Sequence, residues 1–307
     1  LNVRSYVYLN QNAGHGGINS EDSEFLINIL SFFLQNVMKW KNRVDIIGGY
    51  YKMNKLAIDV KRLTKEFQID KDKSISVLKD ISLSVFYGEF ISILGISGSG
   101  KTTLLNCMSS LSRPTTGEVT INGKNPYKLK NRDLAKVRRE EISFIFQSYN
   151  LVPSLPVFEN IVLPLRLSHK KVDKTKVLGL LKKLRFNAEL DSLVGNLSGG
   201  EQQKVAICRA ILSECKIIFA DEPTGAMDSE SRQLIFELLR KLANDGKCVI
   251  MVTHDIELAS QTDKAFILRD GLLSEEIDKP SSSVLYHKLE TKQSDWRGNS
   301  LWLDLFF

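Results

Sequence analysis

The 307-residue chain predicts an α/β fold: a parallel β-sheet core with crossover helices, an antiparallel β subdomain and an α-helical subdomain. Three observations predict it. A short apolar run at 90–94 leads into a glycine-rich loop. Two more apolar runs, 216–220 and 248–252, flank a helix-period segment, and strand–helix–strand order calls for parallel pairing through a crossover. Residues 56–60 and 81–85 instead alternate apolar and polar, the period of antiparallel strands.

The elements follow in chain order. The first fifty or so residues hold no nucleotide motif, with Gly14, His15, Gly16 and Gly17 early. Stretch 25–38 is apolar but carries Asn28, Ser31, Gln35 and Asn36, mostly at helical spacing, with Lys39, Lys41 and Arg43 after it. An interfacial helix, a buried helix and sequence foreign to the native protein all fit. Leu1 is not methionine, and Gly48-Gly49 can be encoded as GGA-GGU, a bacterial ribosome-binding sequence, three codons before Met53. The expectation is an extension at 1–52 upstream of a native start at Met53, a domain at 53–289 and a tail at 290–307. Beyond the strand at 90–94, residues 119–122 with Gly123 read as strand and turn, and 133–139 as a basic helix. Stretch 150–196 has helical period, with Leu178, Leu180, Leu181 and Leu184 as an apolar face. Leu234, Ile235, Leu238, Leu239 and Leu242 mark the crossover helix, and Asp270-Gly271 between apolar runs marks a two-residue hairpin. There is no internal repeat.

Composition narrows the function classes. Hydrophobic residues make up 43%, ample for a packed core. The net charge of +6 suits an anionic partner such as nucleotide, nucleic acid or lipid headgroups, and equally a basic solvated face. Cys107, Cys208, Cys215 and Cys248 form no CxxC pair and no ligand-like spacing with histidine, which argues against a disulfide framework and a zinc site. No apolar run reaches the roughly 20 residues a spanning helix needs, so a membrane part is expected on another chain.

Chemistry concentrates in three places. Gly95-Ile96-Ser97-Gly98-Ser99-Gly100-Lys101-Thr102 fits the phosphate-loop pattern in its required context, after a strand and before a helix. Glycines let backbone N–H groups wrap phosphates, Lys101 reaches the β- and γ-phosphates, and Thr102 ligates Mg²⁺. Asp221 and Glu222 end an apolar strand, where Asp221 can hold the Mg²⁺ shell and Glu222 can take a proton from an attacking water. Ser198-Gly199-Gly200 opening a helix can bind a second anion, or can be a turn and helix cap.

In the run Leu197-Ser198-Gly199-Gly200-Glu201-Gln202-Gln203 the chain resembles the ABC transporter ATPase family, over about 53–289. The resemblance implies a P-loop NTPase fold with a RecA-like core, ATP and Mg²⁺ as cofactors, and ATP hydrolysis. It implies that Gln147 senses the metal, that His254 contacts the γ-phosphate, that Asp228 lies in a loop crossing a dimer interface, and that Phe67 packs on adenine. Thr103 joins the phosphate-binding set. A second cassette is implied as partner, since each ATP lies between one chain's phosphate loop and the other's signature loop. A transmembrane permease is implied as well, with membrane contact through it, so the chain is expected to be cytoplasmic and peripheral. Nucleic acid is not an expected partner, because neither the paired cassettes of ribosome-acting members nor the long coiled coil of DNA-repair members is present. Residues 146–153, Glu159-Asn160-Ile161 and Leu163-Pro164 resemble the branch of macrolide exporters, lipoprotein-release systems and antimicrobial-peptide exporters. Lys204, Cys208 and Met227 depart from the usual residues and bear on the subgroup alone. A related complex doing mechanical or signalling work at the membrane is the alternative.

Overall fold

A computed structural model describes residues 44–47, 50–53, 55–70, 73–225 and 227–290. Its contacts divide the chain into Leu1–Asn54 and Lys55–Phe307. In the first unit, β1 (Val44–Ile47) and β2 (Tyr50–Met53) pair antiparallel, with Val44 opposite Met53. The expected helix at 25–38 lies outside the described residues.

The second unit has strands β3 (Leu56–Asp70), β4 (Lys73–Phe86), β5 (Phe90–Leu94), β6 (Thr116–Ile121), β7 (Ile142–Ile145), β8 (Ile217–Asp221), β9 (Cys248–Val252), β10 (Lys264–Arg269) and β11 (Leu272–Asp278). Six of them form one sheet in the order β11-β10-β5-β9-β8-β7, parallel except for the β10–β11 hairpin. Asp270 and Gly271 turn that hairpin with φ of 46° and 78°, the left-handed pair that a type I′ turn needs. The alternating segments form the expected antiparallel sheet, ordered β4-β3-β6.

Every residue of β5, β8 and β9 is buried, as befits strands covered on both faces. Period two then sorts them between two cores. Ile91, Ile93, Ile217, Phe219, Cys248, Ile250 and Val252 face the antiparallel sheet and α1 (Lys101–Met108). Phe90, Ile218, Ala220, Val249 and Met251 face the helical side. At roughly 1.5–3 kcal/mol for each large apolar side chain fully buried, this double-sided burial is the main force holding the sheet.

The basic helix is α2 (Asn131–Glu140). The helical subdomain holds α3 (Val157–Leu167), α4 (Lys174–Lys183) and α5 (Gly199–Leu212). Asn160, wholly buried, ties its entry loop by bonding both backbone groups of Val152 and the carbonyls of Leu155 and Pro156. The apolar face of α4 needs correction: Val177, Leu181 and Leu184 are buried, whereas Leu178 is 47% exposed. One residue is about 100° of helix, so Val177 and Leu178 cannot share a face. The crossover is α6 (Ser229–Asn244), which buries Ile235, Phe236, Leu239 and Ala243 and leaves Leu234, Leu238 and Leu242 half-buried. The short α7 (Ile256–Ala259) and then α8 (Ser282–Glu290) complete the described chain. Among the described residues no helix is long and apolar enough to cross a membrane.

Candidate active site

Four parallel strands set the site. β5, β9, β8 and β7 lie side by side and end, respectively, at Gly95, at Thr253-His254, at Asp221-Glu222 and before Gln147. Carboxyl ends of parallel strands are where open α/β sheets bind ligands. A cavity of about 710 Å³ opens there, bounded by Gly95, Ser97, Gly98, Gly100, Lys101, Thr102, Thr103, Gln147, Asp221, Glu222 and His254. The phosphate loop, both acids, the glutamine and the histidine thus meet at one place.

Two of the loop's glycines answer to conformation and one to space. Gly98 and Gly100 hold φ of 77° and 101°, where a side chain is strained. Gly95 is not in that region, yet a Cβ on it would stand 2.2 Å from the Leu268 carbonyl oxygen and 2.6 Å from Ser99 Oγ. The hairpin turn supports the loop from beneath, since Gly271 N–H donates to the Ser99 carbonyl at 3.2 Å. Ser99 Oγ is itself buried without a hydrogen-bond partner. The left-handed Gly98 and Gly100, both on the cavity wall, fit a phosphate-binding cradle, because they let successive backbone N–H groups turn toward an anion. Lys101 Nζ donates to the carbonyls of Gly95 and Ile96 at 2.8 and 2.9 Å, which folds the ammonium over the loop. Burial lowers its pKa, opposed by the charges of Glu222 and Asp221.

Thr102 Oγ1 donates to Asp221 Oδ1 at 3.2 Å, which brings a hydroxyl and a carboxylate together beside Gln147. These hard oxygen donors suit a small divalent cation that takes its other ligands from phosphate and water. Desolvation raises the pKa of Asp221, the Thr102 hydrogen bond lowers it, and the Glu222 charge raises it further. Glu222 has φ of 48°, an uncommon conformation for a non-glycine residue, where β8 breaks into the following turn. Its amide donates to the Val252 carbonyl at 3.0 Å. Its Oε2 stands 2.9 Å from His254 Nδ1, with the glutamate side chain 13% exposed and the histidine 74%. A shielded carboxylate held by an open imidazole can take and pass a proton.

Other residues lie outside this cavity. Ser198 caps α5: its Oγ accepts from the Glu201 amide at 3.4 Å, while Glu201 Oε2 accepts from the Ser198 amide at 3.2 Å. Gly199 and Gly200 open that helix and are not among the residues that bound the cavity, although a Cβ on Gly199 would stand 3.1 Å from the Tyr149 hydroxyl. Asp228 caps α6 through Ser231, and those hydrogen bonds hold its carboxyl below the usual range. Phe67 is 44% exposed on β3 opposite Ile75, with Lys65 Nζ 4.8 Å from its ring centre. Tyr149 and Gln203 also bound the cavity; in the sequence they stand inside the 146–153 run and the signature run, without a nucleotide-binding role. Gln203 lies in the signature run, and its amide donates to the Pro223 carbonyl at 2.8 Å. Tyr149 and Asn150 both have positive φ, and their carbonyls accept from Arg209 of α5 at 2.7 and 2.6 Å. Helical spacing would have placed Gln203 one turn past the glycines; Tyr149 is marked only by its place in the 146–153 run.

The family model for the ABC transporter matches residues 78–225. The uncharacterized ABC transporter ATP-binding protein MJ0796 of Methanocaldococcus jannaschii is 41% identical over 230 residues, 71% of this chain and 96% of its own. The ABC transporter ATP-binding protein YxdL of Bacillus subtilis is 38% identical over 234 residues, covering 75% and 90%. The chain belongs to the ABC transporter family. It is the ATP-binding component, an ATPase. The macrolide export ATP-binding/permease protein MacB of Bdellovibrio bacteriovorus is 42% identical over 216 residues, but the cassette spans only 33% of that protein. Among solved structures, the dimeric post-hydrolysis state of the MJ0796 cassette bound to ADP and Pi matches with a TM-score of 0.69 and 38% identity, over 73% of this chain and 99% of that one.

Proposed function

We propose that the cassette is the ATP-hydrolysing motor of an exporter, working as a head-to-tail dimer that drives a transmembrane permease from the cytoplasmic face. The observation that carries the reading is the split of the anion-binding loops. Gly95, Ser97, Gly98, Gly100, Lys101, Thr102 and Thr103 bound the cavity with the acids and His254, whereas Ser198, Gly199 and Gly200 do not. A second cassette would supply its signature loop to this site, and the MJ0796 relative is described as a dimer. ATP would lie with its phosphates in the loop, Lys101 on the β- and γ-phosphates, and adenine against the open face of Phe67. Thr102, Asp221 and Gln147 would hold Mg²⁺, which neutralises phosphate charge. Glu222 would accept the proton of the attacking water, with His254 orienting its carboxylate and contacting the γ-phosphate. Asp228 would face the partner cassette.

Export of a peptide, lipoprotein or drug-like substrate is supported by relatives named for macrolide and pyoverdine export, which carry a permease in the same chain. The test is Glu222→Gln, which keeps shape but removes basicity. ATP should still bind, phosphate release should fall by roughly 10² or more, and size-exclusion chromatography with MgATP should show a persistent dimer. Lys101→Ala should weaken nucleotide binding itself. Hydrolysis by Glu222→Gln at the wild-type rate would show that the base is another residue.

A further inference from the structure

The segment that follows Gln147 is fastened to both ends of α5. Tyr149 and Asn150 stand in succession at φ of 65° and 46°, a left-handed pair that two non-glycine residues seldom adopt. Local turns begin it: the Tyr149 amide donates to the Phe146 carbonyl at 3.0 Å, and the Asn150 amide to the Ser148 carbonyl at 2.7 Å. Arg209, in the last turn of α5, completes the hold by donating to the carbonyls of Tyr149 and Asn150 at 2.7 and 2.6 Å. A forked guanidinium fixes direction as well as distance, and with it the orientation of the Tyr149 backbone.

The Tyr149 side chain reaches the opposite end of the same helix. Its hydroxyl lies 3.1 Å, and the ring carbon bearing it 3.9 Å, from the point where a Cβ on Gly199 would stand. Apart from the helix itself and the chain neighbours of Gly199, no other described residue comes within 4 Å of that point. The phenol is half-buried and also bounds the phosphate cavity. Ser198 and Glu201 close their own cap, but a cap fixes the internal shape of a turn and not its place against the rest of the chain. Gln203 anchors the helix one turn further on, through the Pro223 carbonyl, while Tyr149 meets its first residue.

We propose that Tyr149 is a positioning residue for the partner's ATP site: from the wall of its own chain's cavity it sets where Ser198, Gly199 and Gly200 stand when they are presented to the other cassette. The inference rests on the head-to-tail dimer, in which each signature loop serves the other chain's phosphates. Loss of the phenol therefore acts across the dimer, although the residue borders its own cavity.

The experiment uses full chains with two different tags, one of them also carrying Glu222→Gln, purified together with MgATP as a mixed dimer. Hydrolysis is then confined to the chain with native Glu222, and the signature loop facing that ATP belongs to the Glu222→Gln chain. Tyr149→Ala on the Glu222→Gln chain should slow single-turnover phosphate release about tenfold, since small misplacements at a reacting centre cost that much or more. On the hydrolysing chain the same substitution should change release by less than about twofold. Tyr149→Phe keeps the ring and loses the hydroxyl, so it should give a smaller loss with the same asymmetry, and it decides the matter if Tyr149→Ala melts early. Equal loss from either chain, loss from the hydrolysing chain alone, or no loss at all overturns the proposal. Failure of the two tagged chains to co-purify with MgATP when Tyr149 is native overturns the dimer reading beneath it instead.

Discussion

Gly95→Ala tests the claim that this glycine serves a close approach and not a turn. The new Cβ would lie 2.2 Å from the Leu268 carbonyl oxygen and 2.6 Å from Ser99 Oγ. Relief of the first contact to an ordinary separation needs a shift of about 1 Å, since such carbon–oxygen contacts sit above roughly 3 Å. Leu268 cannot yield freely: it belongs to β10, bonded on one side to β5 and on the other to β11. The phosphate loop must move instead. Overpacking of this kind costs about 1–3 kcal/mol, and at roughly 2–4 °C per kcal/mol the melting temperature should fall by about 2–12 °C. An ångström of misplacement at the phosphates should lower hydrolysis by roughly 10². Gly246→Ala is the control, for its φ is 89° with nothing within 4 Å of the new Cβ, at the end of β9 remote from the site. It should cost about 1–2 kcal/mol of stability and leave hydrolysis unchanged. Differential scanning calorimetry and phosphate release measure both. If Gly95→Ala melts and hydrolyses like wild type, the close-approach argument is wrong.

Two further outcomes are expected. Burial raises the pKa of Asp221, so between the ordinary carboxylate value and the raised one the folded chain binds more protons than the unfolded chain. Stability of the nucleotide-free chain therefore falls as pH rises through that window and stays reduced above it. Asp221→Asn should raise the melting temperature at neutral pH while abolishing hydrolysis, and a lower melting temperature would count against this. Arg209→Ala removes both hydrogen bonds to the Tyr149 and Asn150 carbonyls and should cost about 2–4 kcal/mol in urea unfolding. Arg209→Lys, lacking the guanidinium fork, should fall between the two; equality with wild type would show that the fork is not needed.

The parts of the site that the sequence made legible share one property. Gly98, Gly100, Lys101 and Thr102 are neighbours in the chain, so spacing alone fixes their chemistry. Asp221, Glu222 and His254 follow apolar strands, and a strand's end is visible wherever an apolar run meets polar residues. Which strands adjoin is a long-range matter. Nothing local places β9 between β5 and β8, and hence nothing announces that His254 Nδ1 meets Glu222. Asp270-Gly271 was readable as a turn but not as the prop beneath Ser99. The SGG loop left two readings open, and within one chain the cap is formed by Ser198 with Glu201. On α4 the leucine pattern misplaced Leu178, because four leucines in seven positions exceed what one face can hold.

The flanking of β5 also bears on how the protein is made. Both of its neighbours in the sheet, β9 and β10, are encoded far downstream, beginning at Cys248 and Lys264. The loop that follows β5 is braced by Gly271, later still. During synthesis, then, β5 leaves the ribosome long before either of its neighbours in the sheet exists. β5, apolar but for Ser92, must wait, exposed or held by a chaperone, through translation of the entire helical subdomain. ATP can assist folding of this unit only late, because the pocket it would stabilise closes after β9, β10 and the Gly271 turn have been made.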